Sequence, residues 1–228
     1  MSQEGLVKMN TDLRKTFDLS LKELKQLVLT MFSDVENLYS KMFLTLETMN
    51  KDEAQKIIDD DVAINALETR VNEMAYLVIL KQCPVAKDLR FILTAIKISN
   101  DLERMADYAA NSATYIIKTV DPKRAYNDEI LKYKPLIMDM FQLIIKAYDA
   151  LNISIAMETC DKDSFIDELY HQQLTDFVYV AKSKTDAEAE EASRALLVIK
   201  QLERAGDHIT NIAEHIIYLM HGKAVDLN

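Results

Sequence analysis

"DLERMADYAANSATYII" runs from Asp101 to Ile117, and "QLERAGDHITNIAEHII" runs from Gln201 to Ile217. The two stretches, one hundred residues apart, share Leu, Glu, Arg, Asp, Asn, Ala and a closing pair of Ile at the same offsets. On a helix each residue advances about 100°, so residues four apart lie only about 40° from each other. Measured from Glu103, Asp107 and Asn111 follow one row up the helix, at about +40° and +80°. Ile92, Ile96, Ala110 and Ile117 fall within about 40° of the same line. The glutamate therefore stands at the rim of an apolar stripe. Glu203, Asp207 and Asn211 repeat the row, and Glu214 returns close to it.

The chain around these phrases reads as helical throughout. Glycine and proline number three each in 228 residues, and Trp is missing, while 49% of the residues are apolar. A sheet protein needs chain breakers every few residues, so this composition describes long helices around a packed core. Apolar spacing of three and four predicts helices over about 11–48, 52–81 and 85–120. Leu13, Phe17, Leu21, Leu24 and Val28 line the first. Ile57, Ile64, Leu67, Val71, Met74 and Val78 line the second. Asn50 or Asp52 can cap the second helix, and Pro84 ends it. The second half repeats the plan over about 128–158, 163–182 and 185–220, with Gly222 placed as a left-handed cap. The expected architecture is all-α: two tandem, duplicated three-helix bundles, six long helices in all. They occupy 1–120 and 129–228 and are joined by a polar linker over 121–128 that holds Pro122. Few core contacts are expected across that linker, which predicts two separately protected units.

Charge and motif content narrow the function. A formal charge of −10 repels phosphate backbones and argues against nucleic-acid binding. No window approaches a membrane span and the first residues carry no signal segment, so a cytoplasmic location is expected. Cys83 and Cys160 stand in no metal or redox spacing and are read as reduced thiols. No Gly-rich phosphate loop and no nucleophile–base set occurs, so no enzymatic activity is expected.

Two carboxylates at i and i+4 repel each other, by a few tenths of a kcal/mol or more when desolvated. The commoner way to offset this is an i,i+3 salt bridge, here from Arg104 to Asp107 and from Arg204 to Asp207. The helices preceding each phrase add further acids. Asp61 is followed four residues later by Asn65, and Asp163 by Asp167 and then His171. Acidic rows that face one another on antiparallel helices call for a cation, and oxygen-rich sets suit Mg, Mn, Ca or Fe. A di-iron bundle enzyme would need two Glu-x-x-His motifs, whereas the chain offers Glu168 with His171 and no second copy. A helical adaptor whose acids are merely salt-bridged is the other alternative.

"DLRFILTAIKISNDLERMAD" (88–107) and "LLVIKQLERAGDHITNIAEHIIY" (196–218) resemble the two signature blocks of the PhoU family of phosphate-uptake regulators. The likeness extends from the first helix to the last. It implies a homodimer of paired three-helix bundles that binds divalent or trivalent ions (Fe, Mn, Mg or Zn). It also implies regulation of the phosphate-starvation response beside the Pst phosphate ABC transporter, with its ATPase PstB, and the sensor kinase PhoR of the PhoR–PhoB system. The family's metal motifs fall on Asp61, Glu103 and Asp107 in the first half. In the second half they fall on Asp163, Asp167, Glu203 and Asp207. Asn65 replaces an acid of the pattern and weakens the first site. Row geometry adds Asn111, Asn211, Glu214 and His171.

Overall fold

The computed structural model describes residues 3–119, 126–183 and 185–222, with side chains from 14 onward except at 178 and 180–183. Its helices are α1 (Gln3–Thr48), α2 (Lys51–Gln82), α3 (Ala86–Lys118), the short α4 (Asn127–Leu131), α5 (Tyr133–Ala150), α6 (Ile153–Ser183) and α7 (Asp186–His221). No strand occurs among the described residues. The all-helical fold and its duplicated three-helix plan are as expected. Asn50 caps α2 by accepting from the backbone N–H groups of Asp52 and Glu53, at 3.0 and 3.2 Å. Thr185 and Glu188 form a capping box at the start of α7, and Gly222 ends it at φ 70°.

The division of the second half differs from the expected one. The helix predicted over 128–158 is interrupted at Lys132 and ends at Ala150. Pro135 accounts for the first break, since it lacks an N–H and its ring crowds the carbonyl of Leu131. The second break is a left-handed residue, Leu151 at φ 48°, followed by Asn152. The Asn152 side chain accepts from Ser154 and Ile155 N–H at 2.9 and 3.3 Å and starts α6 there. Asp163 consequently lies ten residues inside a helix, not at its beginning. The polar run "CDKD" (160–163) reads as a turn, but Lys162 reaches Asp139 on α5 at 2.5 Å and the helix continues through it.

Both halves share one core. α1 packs on α2, α3 and α5, while α7 packs on α3, α5 and α6. α1, α3, α7 and α5 thus close a four-helix ring, with α2 laid over one side and α6 over the other. Aromatic side chains stitch α1 to α5: Phe32 with Tyr148 at 5.5 Å, and Tyr39 with Phe141 at 5.2 Å between ring centroids. All four are buried, and the Tyr39 hydroxyl donates to the Met105 carbonyl of α3 at 3.0 Å. The expectation that few core contacts cross between the halves is corrected: a continuous apolar cluster does so. Residues 121–125 of the predicted linker lie outside the described residues, and Asn127 and Asp128 already belong to α4.

Polar groups are also built into the seam of α3 and α7. Asp101 is buried, with His208 Nδ1 at 2.8 Å and His215 Nε2 at 3.3 Å from its two oxygens. The Tyr108 hydroxyl lies 3.3 Å from the other nitrogen of His208. Burial alone would raise the Asp101 pKa, but hydrogen bonds from His208 and His215 outweigh it and hold the carboxyl below its ordinary value. Residues 108 and 115 in the first repeat are Tyr where 208 and 215 are His, so this network uses the two repeats asymmetrically.

Candidate metal centre

α6 and α7 bring the second acidic row together. Carboxylate oxygens of Asp167, Glu203 and Asp207 all lie within 4.8 Å of one another. Glu203 is only 9% exposed because Ile199, Leu202 and Ala205 on the same stretch of α7 are core residues. Asp163 stands one turn from Asp167 and is more deeply placed, at 7% exposure. Its Oδ2 accepts from the Thr210 hydroxyl at 3.0 Å. Its Oδ1 has no hydrogen-bond partner among the described residues.

Gly206 explains how Asp163 approaches so closely. This glycine lies on α7 between Glu203 and Asp207, and a Cβ added to it would stand 2.5 Å from Asp163 Oδ1. Glycine inside a helix costs about 1 kcal/mol relative to alanine, so its presence here needs a local reason. The reason is room for a carboxylate.

Burial and crowding disfavour the ionised form of two of these acids, Asp163 and Asp207. Burial pushes the Asp163 carboxyl up to about 6, with Asp167, Asp207 and Glu203 adding to the rise and Thr210 opposing it. The Asp207 carboxyl is also raised, by burial first and then by Glu203 and Asp167. A buried carboxylate oxygen without a donor, beside three converging acids, fits a multivalent cation. Asp163, Asp167, Glu203 and Asp207 are the residues that would hold it. Such an ion would neutralise the cluster and tie α6 to α7; oxygen donors select a hard ion over a thiolate-seeking one.

The first half has the same plan with weaker convergence. No trio of acids meets as closely there among the described residues. Asn65 stands where Asp167 stands in the second half; it carries no charge and donates its amide to Asp61 Oδ2 at 3.2 Å, so the first row has one acid fewer. Arg104 stands 3.8 Å from both Glu103 and Asp107, the salt bridge expected as the ordinary alternative. Buried Ala106 takes the place of Gly206 in the phrase. Burial nevertheless raises both Asp61 and Glu103, with Asp107 the next cause for each and Glu68 a further one for Glu103.

Other predicted members are dispersed. Asn111 is exposed and Asn211 is half-buried. His171 is exposed and its Nδ1 lies 2.8 Å from the Asp167 backbone carbonyl. Glu214 bears on Cys160, whose thiol is pushed up to about 12 by burial first and by Glu214 next. Arg204 does not repeat the role of Arg104; its guanidinium sits over the Tyr108 ring at 6.0 Å. Gly206, Thr210 and Glu68 escaped the sequence reading. Only Gly206 carried a signal, as a glycine inside a strongly periodic helix.

Fold and site together define a duplicated, all-helical protein with carboxylate rows on neighbouring helices. Comparison with known proteins gives this class a family. The PhoU domain model matches the chain twice, over residues 21–116 and 130–216. The phosphate-specific transport system accessory protein PhoU homolog of Clostridium acetobutylicum is 33% identical over 218 residues, covering 94% of this chain and 99% of that one. The crystal structure of the phosphate transport system regulatory protein PhoU from Streptococcus pneumoniae superposes with a TM-score of 0.86 at 28% identity, over 92% of this chain and 99% of that one. PhoU from Pseudomonas aeruginosa gives 0.85 at 26%, over 91% and 100%. The chain belongs to the PhoU family.

Proposed function

We propose that this protein is a metal-binding accessory regulator of phosphate uptake, acting by protein contact and not by catalysis. The observation that carries the first part is the match, over nearly its whole length, to proteins named as accessory or regulatory components of phosphate-specific transport. The metal part is supported by the orphaned Asp163 oxygen beside Asp167, Glu203 and Asp207. In this reading the protein works in the cytoplasm as a homodimer, and the PstB ATPase and the sensor kinase PhoR are its partners. No described helix is long and apolar enough to cross a membrane, so contact with a transporter falls to its surface. A cation on the second row fixes α6 against α7 and so fixes the outer surface that a partner meets.

Cells lacking the chain, and lacking any paralogue, are expected to import phosphate or express starvation genes even in rich phosphate. Restoring the wild-type chain corrects this, and a folded Glu203→Ala, Asp207→Ala variant corrects it less well. Unchanged phosphate uptake and starvation-gene expression in the deletion strain would overturn the assignment. The metal reading is checked separately by thermal unfolding with Mn²⁺, since an ion that binds only the folded state raises Tm. That rise should vanish in the Glu203→Ala, Asp207→Ala variant, and replacing Glu103 and Asp107 instead should reduce it less.

A further inference from the structure

A fifth charged group belongs to the second row. Lys200 stands one turn before Glu203 on α7, and its Nζ lies 2.6 Å from Glu203 Oε1 and 2.5 Å from Oε2. The ammonium thus straddles the carboxylate that Asp167 and Asp207 also approach. Nζ is at the same time 4.8 Å from the ring centroid of Tyr170, which follows Asp167 by three residues on α6. Its positive charge bears on Asp207 as well. The first repeat has uncharged, exposed Asn100 at the corresponding position.

An ion pair at an open surface contributes little, but Glu203 is nearly buried and its alternative is repulsion from two neighbouring acids. A cation fixed to the same helix also acts at a high effective concentration, which a free ion must overcome. Monovalent ions bring the same charge as the ammonium and no advantage. A divalent ion gathers several carboxylates at once and can displace it. The Tyr170 ring face offers the displaced ammonium a second favourable position without a large movement of its stem.

We propose that Lys200 is an internal occupant of the second site, neutralising Glu203 until a divalent ion takes that carboxylate, and thereby excluding monovalent cations. The proposal rests on reading Asp163, Asp167, Glu203 and Asp207 as metal ligands. It assigns the two repeats different ion selectivity: the second has a lysine held close on its buried glutamate, where the first has Asn100 and only the longer 3.8 Å contacts of Arg104.

The test uses the purified full chain as wild type, Lys200→Met, Lys200→Gln and Lys134→Met. Methionine keeps the apolar stem and removes the charge. Lys134→Met makes the same change in net charge at an exposed pair with Glu47. Calorimetric titration with Mn²⁺ should show Lys200→Met and Lys200→Gln binding about tenfold more tightly than wild type, with Lys134→Met unchanged. Sodium chloride should raise Tm of Lys200→Met above its value in tetramethylammonium chloride of equal ionic strength, and should not do so for wild type. If all four chains bind Mn²⁺ equally, Lys200 is no competitor, and the site reading survives without it. If none binds Mn²⁺, the site reading fails and this inference with it. Circular dichroism of each variant guards against misfolding; should Lys200→Met fail to fold, Lys200→Gln carries the comparison.

Discussion

Gly206 and Asp163 form the pair on which the second site turns. Alanine at 206 would gain about 1 kcal/mol of helix propensity, yet its Cβ would collide with a carboxylate oxygen. Gly206→Ala is therefore expected to lower Tm, by roughly 2–4 °C per kcal/mol lost in a chain of this size, and to abolish the Mn²⁺-induced rise. A variant with higher Tm and an intact Mn²⁺ response would show that the close approach of Asp163 has no role. The same carboxyl makes a pH prediction. Its folded pKa is raised from the ordinary 3.8 to about 6, so its protonated form is favoured by folding. Its contribution is full below the unfolded value and is lost as pH rises through about 6. Asp101 has the opposite sign, being held low by its histidines, and loses its contribution only below the ordinary carboxylate range. Metal-free protein should accordingly gain Tm on going from pH 7 to 5, and saturating Mn²⁺ should flatten that dependence. Thermal scans across this range, with and without the ion, decide it.

At the scale of elements, the break at Leu151–Asn152 sets the register of everything after it. Asn152 caps α6 with two backbone N–H groups, so Asn152→Ala should cost about 1 kcal/mol, read from denaturant midpoints. Leu151 holds a left-handed conformation that favours glycine. Neither feature was legible beforehand, because "ALNIS" holds only Asn152 and Ser154 amid apolar residues, while "CDKD" ten residues later holds three consecutive charged ones. Local composition favoured the later site; packing of Ala147, Tyr148 and Ala156 into the core chose the earlier one. The limits at Asn50, Pro84, Thr185 and Gly222 were readable, since each of these residues has a local stereochemical effect; the start of α1, expected near 11, lies at Gln3.

For the whole molecule, the ring of α1, α3, α7 and α5 makes the two repeats one structure. Phe141 is buried against Tyr39 across the repeats, so Phe141→Ala should destabilise by about 3–5 kcal/mol. Amide exchange should then loosen in α1 and α3 as well as in α5–α7, because the lost contacts lie between the halves. Exchange confined to the second half would instead restore the picture of independent units. Asp101, His208 and His215 reinforce the same seam with hydrogen bonds available only between α3 and α7.

The sequence by itself determined the helical class, the duplication and the identities of the acids in both rows. These follow from periodicity and from residue types, which act within a few turns of one chain segment. Only the tertiary structure decided which row converges. Asp61 and Asp163 are equivalent in the pattern. One meets an amide from Asn65, while the other lies beside three acids and against Gly206. Convergence depends on how near two helices come and on what each presents at the point of contact. That is a property of packing between distant segments, and the spacing within either segment does not contain it.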